Sequence, residues 1–259
     1  MQIDKQTALS PMSYAQESIK PYKEDGKSKK EQVRQMFDNI AHSYDKLNHT
    51  LSFGVDKWWR QCAMNYLKRT GRKHSRVLDI ATGTGDFALL AYSELTPDEV
   101  VGCDISEGML NIARQKAQSA GLSDKMDFRI EDCANMSFPT DRFDTVITAF
   151  ALRNFENLDE CLAEIRRVMA PGADIAAVDL CSPQSFPMKQ LFTFYKKVIM
   201  PSIGKLVSRD GSAYSYLPDT MDKVPQGKDM AAIFEKAGFK EVRFRRLAFG
   251  MCMLYTARK

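Results

Sequence analysis

The 259-residue sequence contains no apolar run approaching the roughly 18 residues that cross a bilayer. Its opening stretch, MQIDKQTALSPMSYAQESIK, has no apolar core of the kind a secretory leader carries, so no leader is expected. The six cysteines (Cys62, Cys103, Cys133, Cys161, Cys181 and Cys252) form no CxxC pair. Reduced, cytosolic thiols are therefore expected, without a disulfide frame or a zinc site. Lys and Arg, 37 together, barely exceed Asp and Glu at 33. That balance is too mild for nucleic acid, which calls for a dense basic face. Internal repeats and low-complexity segments are missing as well. What remains is a chain of ordinary globular composition, 44% hydrophobic and 27% charged. At about 150 residues per domain it makes one large domain or two small ones.

Residues 1–28 are polar and lysine-rich and read as a flexible basic tail, ordered only in part. From Lys29, Val33, Met36, Phe37, Ile40 and Ala41 fall on one helical stripe. A second helix is expected over 58–69, so that 29–70 form an N-terminal helical cap. From residue 76 the period changes. RVLDI (76–80), EVVGCD (99–104), MDFRI (126–130), FDTVITAF (143–150) and DIAAVDL (174–180) are short runs rich in Val and Ile. Helical patterns at 87–94, 108–119 and 158–169 separate them. Strands alternating with helices mean βαβ units and a parallel sheet covered on both faces. After Leu180 the alternation stops, and a proline-bearing insertion at about 182–226 intervenes. A last helix over 228–237 ends at Gly238. Two closing runs, 240–249 and 251–258, are separated by Gly250 alone and read as a tight antiparallel hairpin. The expected fold is α/β, a mostly parallel seven-stranded sheet with an antiparallel C-terminal hairpin and helices on both faces, and 71–259 form its ligand-binding domain.

The most informative segment is VLDIATGTGD (77–86). A buried strand ends at Ile80, and Gly83 and Gly85 bracket a tight turn into a helix, where backbone and ligand can approach closely. A lone GxG is weak, but acids follow at strand ends. Asp104 closes the second strand about 20 residues on, where a carboxylate can accept two hydrogen bonds from a ribose diol. Asp132 follows the third strand, placed for an exocyclic amine of adenine. Asp79, inside the first strand, either bonds the turn or faces the ligand. Asp86 stands where a pyrophosphate would approach, and its charge disfavours phosphate and suits a cation or zwitterion. S-adenosylmethionine, with a sulfonium and an ammonium and no phosphate, fits this turn better than a dinucleotide.

On these residues the sequence resembles the class I S-adenosylmethionine-dependent methyltransferases, a Rossmann-like fold. More narrowly it resembles the C-methyltransferases of menaquinone and ubiquinone biosynthesis. Four further segments carry that resemblance: YDKLNHTLSFGVDKWWR (44–60), FDTVITAFALRNFENLD (143–159) with its Leu-Arg-Asn triplet, RRVMAPGADI (166–175) and PSIGKLVSRDGSAYSYLPDT (201–220). The chain departs from the family pattern at Ala170-Pro171-Gly172-Ala173, where Lys-Pro-Gly-Gly is usual, and at Thr82, where Cys or Gly is common. The resemblance implies cofactor contacts at Thr84, Asp104, Asp132 and Cys133, with backbone contact at Gly83 and Gly85.

The implied reaction moves a methyl group from sulfonium to a ring carbon of a prenylated quinol, demethylmenaquinol before a polyprenyl benzoquinol. The ring carbon must sit in a near-attack position, and the neighbouring phenol, with a pKa near 10, must lose its proton. Arg153 is too weak an acid to act as base. It is expected to stabilise phenolate while Asn154 orients the ring oxygen; the alternative is an ion pair with an acid such as Asp159. Tyr44 and Asp45 are candidates for the cofactor's methionine end or the quinol. His42 and His49 flank the signature as candidate bases or surface residues. Tyr214 and Tyr216 either line a tunnel for the tail or pack the insertion. FPMKQLFTFYKKVIMPSIGKLV (186–207) mixes apolar, aromatic and lysine side chains, and reads as a lid over the tail with peripheral contact at the inner membrane face. The protein is expected in the cytoplasm, with a homodimer left open. The competing readings are methylation of another lipid or phenol, a non-catalytic cofactor-binding scaffold, and, more distantly, dinucleotide redox.

Overall fold

A computed structural model describes residues 14–22, 25–200 and 212–259. Five apolar runs form the parallel strands β1 (Arg76–Ile80), β2 (Glu99–Asp104), β3 (Met126–Ile130), β4 (Phe143–Ala149) and β5 (Met169–Leu180). Helices α3 (Asp86–Leu95), α4 (Glu107–Ser119) and α5 (Leu158–Val168) connect them. The strand order is β3-β2-β1-β4-β5-β7-β6, with β6 (Lys240–Leu247) and β7 (Cys252–Arg258) closing one edge. β7 runs antiparallel to both its neighbours, β5 and β6. The chain winds outward from β1 to β3, then returns to lay β4 on the other side of β1. This reversal opens a crevice at the carboxyl ends of β1 and β4, the place where open α/β sheets take ligands.

The strand period of two sorts β1 between two cores. Val77 packs with Trp59, Phe87 and Leu110 on one face, while Leu78 and Ile80 pack with Leu162 and Phe234 on the other. Asp79 shares the side of Val77. β5 begins earlier than its apolar run: Met169 pairs with Phe143, and Asp174 with Thr145. Ala170-Pro171-Gly172-Ala173 therefore forms a bulge, with Gly172 at φ +76°. The β6–β7 connection is longer than a single glycine. Ala248, Phe249 and Gly250 form a 3-10 turn in which all three residues take positive φ.

The N-terminal helices roof the crevice. α1 (Lys29–Leu51) starts at a capping box in which Ser28 and Glu31 exchange hydrogen bonds. It runs on through the Tyr44-Asp45-Lys46-Leu47-Asn48 signature to meet α2 (Val55–Arg69) at Gly54. Asp38 docks α1 onto the start of α4, accepting from the Ser106 hydroxyl (2.6 Å) and the Gly108 amide (3.1 Å). Within the expected tail, residues 14–22 are packed, not free. Tyr14 donates to Asp159 (2.8 Å), Glu17 accepts from the Leu158 amide (2.8 Å) at the start of α5, and Gln16 is fully buried.

Beyond β5 lie α6 (Met188–Phe194), a π-helical turn (Tyr195–Ile199), α7 (Ser212–Lys223) and α8 (Lys228–Lys236). Residues 201–207 of the expected groove and the Tyr214 side chain lie outside the described residues. No helix among the described residues is long and apolar enough to cross a membrane.

Candidate active site

The crevice holds a cavity of about 340 Å³ between the strand ends and α1. Asp104 stands in its wall, fixed by two amides: Oδ2 accepts from Gly83 (2.9 Å) and Oδ1 from Ser106 (2.9 Å). Burial pushes its carboxyl up, and the amides oppose that shift. Both oxygens keep a free lone pair, which suits a vicinal diol. Gly83 (φ +55°) lines the same wall, with the Tyr44 ring edge 3.9 Å from the place a Cβ would take. The far end holds Asp132 and Cys133. Asp132 accepts from the Ala134 amide (3.0 Å) and from the Lys30 ammonium (2.8 Å). The Cys133 and Cys161 sulfurs are 2.9 Å apart, and that contact together with burial holds Cys133 as the neutral thiol. Ala81 (φ +53°) and Phe150 (φ +64°), both non-glycine residues in the left-handed region, sit where the chain leaves β1 and β4 and line this cavity. Such strain collects where a backbone is shaped around a ligand.

Three amides of the glycine turn are already engaged within the protein. Those of Thr82, Gly83 and Gly85 go to the Cys103 carbonyl, Asp104 and the Thr82 carbonyl. Asp86, expected to repel phosphate, is itself paired with Lys116 (2.5 Å), so its charge is offset within the protein. Four residues of the turn and its signature fall outside the cavity lining. Asp45 accepts from the Thr84 hydroxyl (2.6 Å) and pairs with Lys116 (2.6 Å). Asp45 and Thr84 thus brace the turn against α1 and α4. At Gly85 (φ +82°) a Cβ would stand 2.9 Å from that of Ala113, so this glycine lets α3 and α4 approach. Asp79 is buried with Oδ2 accepting from Thr82 (2.7 Å) and Oδ1 without a partner, and burial lifts its pKa to about 7.

A second cavity of about 300 Å³ opens beside the first, walled by Trp59, Phe150, Leu191, Phe192, Tyr195 and Met221. A narrow passage of about 50 Å³, lined by Tyr44, Asn48, Arg153, Asn154 and Tyr216, lies between the two and shares residues with each. The 3-10 turn Leu152–Asn154 supplies its polar groups. Arg153 does pair with an acid, but the acid is Asp179 at the end of β5, not Asp159. Its Nη1 donates to Asp179 (2.5 Å) and to the Phe150 carbonyl (2.6 Å), and its amide also donates to Asp179 (3.0 Å). Asn154 Nδ2 donates to the same Phe150 carbonyl (3.0 Å). Arg153 Nε and Asn154 Oδ1 are buried without partners. The guanidiniums of Arg60 and Arg153 lie 5.1 and 6.0 Å from the Phe150 ring centre.

Two residues in this arrangement carry no motif. Asp179 sits in the buried run Ala176-Ala177-Val178-Asp179, where an acid must find a partner; that was the available signal. Lys29, 1% exposed, has none in sequence. Its ammonium donates to the carbonyls of Gln16 (2.7 Å), Arg153 (3.2 Å) and Phe155 (3.2 Å), and burial lowers its pKa to about 8. None of the three histidines lines these cavities. His42 is exposed, His49 bonds Asp56 (3.1 Å), and His74 is buried against Thr145 (2.7 Å). The site can bind a diol at Asp104, an apolar ring and chain in the second cavity, and a polar oxygen in the passage.

The model of the ubiE/COQ5 methyltransferase family matches residues 25–259. The chain is 53% identical to a demethylmenaquinone methyltransferase of Bacteroides fragilis, over 96% of this chain and 100% of the relative. It is 38% identical to the protein of that name from Porphyromonas gingivalis, over 94% and 98%. It is also 38% identical to a ubiquinone/menaquinone biosynthesis C-methyltransferase of Geobacter sulfurreducens, over 89% and 90%. Among solved structures, a Haemonchus contortus phosphoethanolamine N-methyltransferase in complex with S-adenosylmethionine shares the fold at TM-score 0.64 and 15% identity, over 92% of this chain and 61% of that one. The [4+2]-cyclase SpnF does so at 0.63 and 17%, over 89% and 96%. An Aquifex aeolicus methyltransferase does so at 0.54 and 18%, over 75% and 88%. At these identities the structures speak for the fold alone, and a cyclase among them shows that the fold does not dictate the reaction.

Asp79 makes the site's environment measurable through pH. Its folded pKa of about 7 lies above the ordinary carboxyl value of 3.8, so between those values the folded state binds more protons than the unfolded state. Its contribution to stability is present below about pH 4 and is lost as pH rises through 7. Asp79→Asn is expected to flatten that part of the profile in urea unfolding from pH 4 to 8. A parallel decline in both proteins would contradict this assignment.

Proposed function

Because the chain belongs to the ubiE/COQ5 methyltransferase family, we propose that it transfers a methyl group from S-adenosylmethionine to a ring carbon of demethylmenaquinol. The observation that carries this reading is the meeting, at Arg153 and Asn154, of a cavity built around Asp104 with an almost wholly apolar one. The residues present fit S-adenosylmethionine. Asp104 offers two fixed oxygens for the ribose, Gly83 lets the backbone approach, and Asp132 with Cys133 borders the adenine end. When bound, the donor supplies an electrophilic methyl: the S–C bond breaks with its electrons left on sulfur, the new C–C bond takes its pair from the ring, and a ring proton is then lost.

The chain's own residues have to position the ring and favour its phenolate. Phe150 lines both cavities, so a flat ring against it lies between the donor and the apolar chamber. Arg153 stabilises the ring oxygen as its proton leaves, through the Nε that Asp179 leaves free. Asp179 neutralises the buried guanidinium and fixes its rotamer, and Lys29 holds the carbonyls on either side of Asn154. Tyr44 closes the roof from α1. Asp45 and Thr84 act as positioning residues of the glycine turn. Water takes the phenol proton and afterwards the ring proton, and Arg153 lowers the cost of losing the first.

The prenyl tail occupies the second cavity, whose mouth carries exposed apolar side chains: Phe53 and Leu191 in its wall, with Phe186 and Phe194 on the same insertion. Lys189 and Lys197 lie among them in sequence. This combination supports contact with an anionic bilayer at the insertion, which acts as the lid of the site. The double variant Phe186→Ser, Phe194→Ser is expected to lose cosedimentation with vesicles of anionic lipid. Unchanged pelleting would remove this surface from membrane contact.

The direct test of the function is mass spectrometry of products after offering demethylmenaquinol and its benzoquinol counterpart with labelled S-adenosylmethionine. Label in the naphthoquinol is expected; label in the benzoquinol alone would overturn the substrate, and none in either would leave a binding scaffold. Arg153→Lys retains a cation for Asp179 while removing Nε. It is expected to lower kcat about 100-fold at unchanged affinity for S-adenosylmethionine. Wild-type turnover in that variant would take Arg153 out of the chemistry.

A further inference from the structure

Tyr216 projects from α7, in the insertion between β5 and the C-terminal hairpin, and is 4% exposed. Its ring packs with Val33, Met36 and Ile40 of α1, so it is fixed from the roof of the site. Tyr216 lines the passage, and its buried hydroxyl has no hydrogen-bond partner among the described residues. A phenylalanine would fill the same space without burying an unsatisfied group, so the hydroxyl costs stability where it stands. Two further residues that line the passage carry buried atoms without a partner among the described residues, Arg153 Nε and Asn154 Oδ1. Two donors and one acceptor, all buried and all unused, describe a ligand with an oxygen that can be anionic.

We propose that Tyr216 is a further catalytic residue, whose hydroxyl donates a hydrogen bond to the quinol oxygen beside the accepting ring carbon. The inference rests on the quinol reading above and adds a second donor to Arg153 Nε. Burial raises the phenol of Tyr216 above its ordinary value, with Arg153 opposing and Asp179 reinforcing the shift. Tyr216 therefore stays protonated and serves as a donor, never as the base. No proton passes to or from it. The quinol proton goes to water, and the hydroxyl shares the charge left behind.

Tyr216→Phe removes the donor and keeps the packing. It is expected to lower kcat 10- to 100-fold, to leave the affinity for S-adenosylmethionine unchanged by calorimetry, and to hold or raise the thermal midpoint. A second readout avoids turnover: a short-chain alkyl naphthol is bound in the presence of S-adenosylhomocysteine, and its ionised fraction is read by absorbance. The wild type is expected to hold more of the anion than the variant. Wild-type kcat and equal ionisation in Tyr216→Phe would overturn the proposal while leaving quinol methylation intact. A wild-type protein that leaves demethylmenaquinol unmethylated would overturn the substrate reading and this inference with it.

Discussion

The buried pair of Arg153 and Asp179 sits where everything else in the site converges. A guanidinium that is 6% exposed survives there because Asp179, 3% exposed, accepts from both its Nη1 and its amide. Removing one partner of such a pair typically costs about 3–5 kcal/mol, since the other charge is left stranded. The pair also fixes geometry: it joins the end of β5 to the turn after β4 and leaves one donor, Nε, without a hydrogen-bond partner among the described residues. A cation held this way can stabilise a neighbouring anion without reorganising, which is how a preorganised site lowers a barrier.

The N-terminal region completes what the sheet begins. α1 roofs the crevice, Asp38 ties it to α4, and Lys29 clamps the turn that carries Arg153 and Asn154. The same ammonium reaches the Gln16 carbonyl, so residues 14–22 and the catalytic turn share one buried cation. On the proposed function, the sheet and the glycine turn serve the donor, and α1 with the insertion serves the acceptor. Phe150, strained at φ +64°, belongs to both halves.

How much of this was legible in sequence divides along the same line. The sheet was, because buried parallel strands are short apolar runs that stand apart from amphipathic helices; only the start of β5 and the length of the last turn departed from expectation. The position of Asp104 in the cavity wall was legible because it follows from its place at a strand end. Thr84 and Gly85, expected at the cofactor, lie outside the cavity lining, Thr84 bonded to Asp45 and Gly85 against Ala113; a motif records which residues a turn needs without saying which way they face. The partners of Asp45, Thr84 and Lys116, were not legible because they are distant in sequence. Lys29 left no trace, since a lysine bonded to three carbonyls has no composition signature. Arg153 was found through its triplet, whereas its true partner depended on tertiary pairing across 26 residues.

The account comes down to two chambers meeting at one passage. The most direct measurement is a crystal structure with S-adenosylhomocysteine and a short-tailed menaquinone bound together. It should show the ribose hydroxyls on Asp104, the naphthoquinone ring against Phe150, one ring oxygen about 3 Å from Arg153 Nε, and the tail in the apolar chamber. A nucleoside bound away from Asp104, or a quinone seated outside the passage, would contradict it.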